Sequence, residues 1–276
     1  MKVLVVLLLL CAGGAYSDMS QDCDMAAFYL ELGCTPSAAE NSTSTCPQAF
    51  TCPDLHPDPT MCYYRGVAYK GGATIPESLV RNPCSMYCSC SLRDVTPQFH
   101  CVAVDCPEFF NSDEKEQCIY TYQPMECCPT AKVCGKDAIA NLSTCEVDGK
   151  VYLEGQTFKK SHKTCVCSAQ WNGSTDNPAD CREVNCGIEI HYQDKLMNRC
   201  APVFVNARSC PFTFECQTPK SKIIRGLNVR AADSQCVFGN MTLAVGDELV
   251  ADEPCTICTC EVPPFVTCVK KTACDN

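Results

Sequence analysis

Apolar residues fall along this 276-residue chain in one continuous run and afterwards only in short bursts. The run is Val3 to Leu10, with Lys2 before it and Ala15-Tyr16-Ser17 after it. A positive start, a short apolar stretch and small residues at its end predict a secretory signal peptide over residues 1–17, cleaved after Ser17. Crossing a bilayer takes about 20 apolar residues, so this run is too short to be an anchor, and no later segment is apolar enough to span. The later bursts gather around glycines at a repeated spacing. The first reads Cys62-x3-Gly66-x2-Tyr69-x2-Gly72-x2-Ile75 and the second Cys145-x3-Gly149-x2-Tyr152-x2-Gly155-x2-Phe158. A third keeps part of it, Cys236-x6-Leu243-x2-Gly246-x2-Leu249. Short apolar runs flanking glycine predict β-hairpins, and in the first copy Gly71-Gly72 is the expected turn, glycine supplying the positive φ.

Composition explains how such short strands hold together. The chain has 29 cysteines, a proportion that marks a disulfide scaffold. Leucine and isoleucine are sparse after residue 17, so the chain is expected to form small stapled modules rather than one large core. Cleavage after Ser17 removes Cys11 and leaves an even number of cysteines in an oxidising compartment, all of them pairable. Zinc is the rival reading for Cys255-x2-Cys258-x-Cys260, but secretion favours disulfides, and neither a metal nor a cofactor is expected. Sequons at Asn41, Asn141, Asn172 and Asn240 agree with secretion and predict glycans on surface turns. A formal net charge of −10 argues against a nucleic-acid binder and names no partner.

The order of the cysteines divides the chain. Residues 62–134 hold ten of them, with a centre Cys84-x3-Cys88-x-Cys90 and a close Cys127-Cys128-Pro129-x4-Cys134. Residues 145–216 form a second, eight-cysteine copy that closes with Cys210-Pro211-x4-Cys216. Residues 18–61 carry only the close, Cys46-Pro47-x4-Cys52, and read as a back half. Residues 236–276 carry only the opening and centre and read as a front half. Residues 217–235 contain no cysteine and several basic residues, and read as a flexible linker. The expected order is therefore back half, whole, whole, front half, an array rather than one compact domain.

These motifs resemble the von Willebrand factor type C (VWC) module, whose pattern is a glycine- and tyrosine-spaced hairpin, a Cys-x2-Cys-x-Cys centre and a Cys-Cys-x2-Cys close. Cys255-x2-Cys258-x-Cys260 fits the centre as written, while Cys84-x3-Cys88 has one extra residue and the close at Cys127-Cys128 is stretched. The tryptophan common after the second glycine is replaced by Ile75, Phe158 and Leu249. The fold that the resemblance implies is a tandem of small disulfide-rich β modules, each with a short antiparallel sheet in front and an irregular cysteine-laced back.

The four histidines, His56, His100, His162 and His191, lie in no recognisable nucleophile or metal motif, and the chain is expected not to be an enzyme. Aromatic residues on the hairpins serve either as a mini-core or as an interface. Chordin-like and crossveinless-like relatives bind bone morphogenetic proteins through the front half. Carried over, that implies contacts at Tyr63, Tyr64, Tyr69 and Ile75, with Tyr152 and Phe158 in the next copy. The expectation is a secreted binder that modulates such a growth factor. The alternatives are a structural or immune-related extracellular protein, like the single-module relatives of arthropods, or a protease inhibitor. Lys159-Lys160-Ser161-His162-Lys163 is a candidate weak contact for glycosaminoglycans, against the plainer reading of a solvated strand end.

One disulfide follows from comparing the copies. Aligned on their closes, Cys127 falls on Ser209; aligned on their centres, Cys84 falls on Ser161. Two cysteines missing together suggest that Cys84 and Cys127 are bonded to each other. The same logic expects Cys255 to bond Cys274 in the final segment.

Overall fold

The structure is a computed structural model. It describes residue 23 and residues 25–37, 46–54, 58–80, 82–106, 117–160, 163–205, 210–226, 235–252 and 255–271. The expected signal peptide, the sequon at Asn41 and Cys274 lie outside the described residues.

The chain alternates two kinds of unit. The first back unit has helix α1 (Ala26–Glu31) and strands β1 (Thr35–Pro36) and β2 (Phe50–Thr51). The first front unit has β3 (Cys62–Tyr64), β4 (Val67–Tyr69), β5 (Ser85–Ser91) and β6 (Gln98–Ala103). The second back unit has β7 (Cys118–Thr121) and β8 (Ala131–Cys134), followed by α2 (Lys136–Ala140). The second front unit has β9 (Thr144–Val147), β10 (Lys150–Leu153), β11 (Thr157–Lys160), β12 (Lys163–Val166) and β13 (Cys181–Glu183). The third back unit has α3 (Ile188–His191), α4 (Gln193–Met197), β14 (Ala201–Phe204) and β15 (Thr213–Glu215), and is followed by β16 (Ile223–Ile224). The third front unit has β17 (Gln235–Phe238), β18 (Met241–Ala244), β19 (Glu248–Leu249), β20 (Thr256–Thr259) and β21 (Thr267–Lys270). No helix among the described residues is long and apolar enough to cross a membrane.

Disulfides staple each unit in the same way. The front units carry Cys62–Cys90 with Cys88–Cys101, Cys145–Cys167 with Cys165–Cys181, and Cys236–Cys260 with Cys258–Cys268. The back units carry Cys23–Cys46 with Cys34–Cys52, Cys106–Cys128 with Cys118–Cys134, and Cys186–Cys210 with Cys200–Cys216. Cys84 is bonded to Cys127, the pairing that the two aligned serines call for, and it ties the first front unit to the second back unit. Two-stranded sheets are marginal in water without further support, and each such bond contributes about 2–4 kcal/mol. Cys255 is also disulfide-bonded. With Cys258 and Cys260 both paired, the zinc reading lacks its thiolates.

The glycine spacing has a physical cause that recurs in all three front units. Gly72, Gly155 and Gly246 adopt φ of 82°, 84° and 95°. Each donates its N–H to the carbonyl of the third centre cysteine, Cys90, Cys167 or Cys260, at 2.8 Å. That corner starts a strand in which the residue three positions on faces the second centre cysteine. Phe158 pairs with Cys165 and Leu249 with Cys258, while the Ile75 N–H donates to the Cys88 carbonyl. Ile75, Phe158 and Leu249 are all buried. The expected turn at Gly71-Gly72 is therefore corrected: the hairpin turns at Arg65-Gly66, where φ is 52° and 75°, and Gly72 makes the following corner.

The ends of the chain do not form isolated half modules. Phe28, Tyr29 and Phe50 of the first back unit share a core with Ile188, Leu196, Phe204 and Phe265. The Tyr29 ring stacks on Phe50 at 4.3 Å, and its hydroxyl donates to the Val262 carbonyl. The third back and front units merge into one six-stranded sheet ordered β15-β14-β21-β20-β19-β16. Within it β14 and β21 form a parallel pair, with Val203 against Cys268 and Phe204 against Val269. The expected linker needs correction as well. Ile223–Ile224 pairs with Glu248–Leu249, and Arg225 reaches the buried carboxylate of Asp247, so residues up to 226 belong to the sheet. The rest of that stretch, 227–234, lies outside the described residues.

Candidate functional site

The first front unit is where sequence analysis places its main site. Tyr64 is buried, and its hydroxyl donates to the Leu79 carbonyl at 3.0 Å. Ile75 is buried in the same core, with Phe99 and with Ile190 from the third back unit. Tyr69 is half-buried and meets Phe99 edge-on, ring centroids 5.4 Å apart. Tyr63 is also half-buried; its N–H donates to Gln193 Oε1 and its hydroxyl accepts from the Asp58 N–H, each at 3.0 Å. In the second front unit Tyr152 and Phe158 pack with Trp171 in a separate core. Tyr64, Ile75 and Phe158 are thus core side chains, turned away from solvent. The two sets are not brought into one surface.

The neighbouring hairpin presents the apolar surface instead. On β5, Cys88 and Cys90 point inward to their disulfides and are buried. Strand alternation then turns the intervening positions outward. A bulge between Met86 and Ser89 sets Tyr87 at φ 48°, and the residue is 60% exposed. Met86 pairs across the ladder with Val102, which is 58% exposed. At the other end of the hairpin Leu92 and Val95 are exposed on the loop. Asp94 bridles this loop. Its Oδ2 lies 3.0 Å from both His100 Nε2 and Gln98 Nε2, and the bonds to His100 and Gln98 hold its carboxyl below the usual range. Sequence reasoning passed over these residues. Cys88-x-Cys90 fixes the inward face and so marks Tyr87 as outward, whereas Met86 and Leu92 share the parity of the cysteines and are exposed because of the bulge and the loop.

The basic run does not offer its charges together. Lys160 Nζ lies 3.3 Å from Asp148 Oδ1, and Lys163 Nζ bonds the Thr175 carbonyl at 3.0 Å and Asp176 at 3.3 Å. Ser161 and His162 lie outside the described residues. Asn141, Asn172 and Asn240 are exposed on turns, as glycan acceptors need to be. A cleft of about 380 Å³ lies where the two ends of the chain meet, lined by Phe50, Asp54, Leu196, Arg199, Val237 and Phe265 among others.

A polar junction joins three units behind the hairpin. Glu31 accepts from the N–H groups of Cys186 and Ile188 at 2.7 and 2.8 Å. Glu189 accepts from the Arg65 N–H at 2.9 Å. Burial pushes both carboxyls up, Glu189 to about 7, with the Glu31 charge adding to the effect. No family model matches the chain, and no solved structure matches it.

Proposed function

We propose that this chain is a secreted, non-enzymatic extracellular protein-binding protein, and that its contact surface is the β5–β6 hairpin. The carrying observation is that Met86, Tyr87, Leu92, Val95 and Val102 are all exposed on this one disulfide-clamped hairpin. Large apolar side chains on a rigid frame lose little entropy when a partner covers them, and aromatic residues and methionine are enriched at interface centres. Resemblance to the type C module supports a growth factor of bone morphogenetic protein type as the partner, and the net charge of −10 suits a basic one.

The test is a pull-down of a growth-factor panel with the secreted protein and with a Tyr87→Ser/Val102→Ser variant. Both side chains are outward, so the variant should be secreted normally and bind at least about tenfold more weakly. Equal binding by the variant would remove the hairpin from the interface. A second reading rests on the exposed residues 92–95, which lie in the chain between Cys90 and Cys101, each held by a disulfide, as an inhibitor's reactive loop is held. An inhibition assay against a protease panel, with cleavage or loss of effect mapped to this loop, separates that reading from the first.

A further inference from the structure

The second back unit holds a sulfur that the other two do not. Its counterparts to Cys127 are Thr45 and Ser209. Cys127 is bonded to Cys84, and the adjacent Cys128 to Cys106. Yet the Sγ of Cys127 lies 3.9 Å from the Sγ of Cys106, and the sulfurs of Cys106, Cys127 and Cys128 all lie within 4.8 Å of one another. Cys106 is buried, whereas Cys84, Cys127 and Cys128 are half-exposed.

We propose that these four cysteines form a disulfide-exchange relay, opened by an external dithiol reductant, that unclips the exposed hairpin unit from the second back unit. The reductant's thiolate attacks the half-exposed Sγ of Cys84, forming a mixed disulfide and expelling Cys127 as a thiolate. Cys127 attacks Cys106, so a Cys106–Cys127 bond forms, Cys106–Cys128 breaks and the electron pair leaves on Cys128. The reductant's second thiol then resolves the mixed disulfide. Cys84 and Cys128 end as thiols, and the dithiol leaves as its cyclic disulfide. Two electrons have entered the protein and one disulfide has been lost. The back unit keeps a staple throughout, because Cys106 exchanges one neighbour for the next. What is lost is the only disulfide among the described residues that joins a front unit to a back unit.

The test uses the full secreted protein with limiting dithiothreitol, followed by an acid quench, N-ethylmaleimide labelling and non-reducing peptide mapping with fragmentation between Cys127 and Cys128. The expected result is label on Cys84 and Cys128 together with a Cys106–Cys127 cross-link. Label on Cys84 and Cys127 with Cys106–Cys128 intact would overturn the relay, as would label spread evenly over the stapling disulfides of all the units. A Cys84→Ser/Cys127→Ser variant copies the serines found in the second copy. Under the same treatment it should lose the labelling of Cys128. Undiminished Cys128 labelling in that variant would show that Cys106–Cys128 is reduced directly, and would also overturn the relay.

Discussion

Glu189 is the residue at which the energetics of the whole are easiest to read. It is 5% exposed on α3 and faces Arg65 and Tyr64 from the first front unit and Glu31 from α1. An unfolded glutamate releases its proton near 4.5, whereas this one holds it to about 7 because burial, and then the Glu31 charge, disfavours the anion. Between those values folded Glu189 holds a proton that the unfolded chain has released, so its contribution to stability is fully present below about pH 4.5 and is lost as pH rises to about 7. Denaturant titrations should show that decline, on the order of 1 kcal/mol or more across the window. Glu189→Gln keeps an acceptor for the Arg65 N–H and removes the titration. It should flatten the decline and raise the melting temperature at pH 8; an unchanged pH profile would mean that Glu189 does not carry the effect.

At the scale of the element, the repeated glycine corner makes a quantitative contrast. A Cβ at Gly72 meets nothing within 4 Å, so Gly72→Ala should cost only the left-handed conformation, about 1–2 kcal/mol. A Cβ at Gly155 would fall 2.2 Å from the Thr121 Cβ, and the Gly155 carbonyl accepts from the Tyr122 N–H at 2.8 Å. Gly155→Ala should therefore cost clearly more, about 2–4 kcal/mol, by pushing β7 off the second front unit. Equal melting temperatures for the two variants would contradict this packing. The corner was legible in the sequence, because Gly-x2-Ile75, Gly-x2-Phe158 and Gly-x2-Leu249 repeat one register. The turn was not, because Gly71-Gly72 is a stronger local signal than Arg65-Gly66, and hydrogen bonds to Cys90 decide between them. The burial of Tyr64 and Ile75 was hidden for a different reason: part of their cover is Ile190, more than a hundred residues away.

For the whole molecule, a disulfide-rich scaffold of small sheets could be read from the number of cysteines, but the assembly of the units could not. Back half, whole, whole, front half is one way to phase an alternation that also reads as three back-front pairs, and cysteine spacing does not choose between them. What holds the units together is contact between them: β14 beside β21, Gln217 Oε1 accepting from the Asn240 N–H at 2.7 Å, and Phe28 against Phe265. Trypsin should accordingly cut between residues 226 and 235 without separating the pieces. They should co-elute on gel filtration and come apart in non-reducing denaturing gels, since no disulfide among the described residues crosses that stretch. Pieces that elute apart without denaturant would show that the parallel pair does not hold them.

The bond from the Tyr29 hydroxyl to the Val262 carbonyl spans 233 residues of chain. Synthesis runs in one direction, so Tyr29 can meet Phe50 soon after both are made, but Phe28 and Tyr29 reach Phe265 and the Val262 carbonyl only when the third front unit has been made. Local staples, most of them closing loops of 10 to 28 residues, can form along the way. The part of the α1 face that packs on Phe265 must wait, uncovered, until then. The first back unit thus keeps part of its apolar surface uncovered until the third front unit is made, and a chaperone would serve it over that interval.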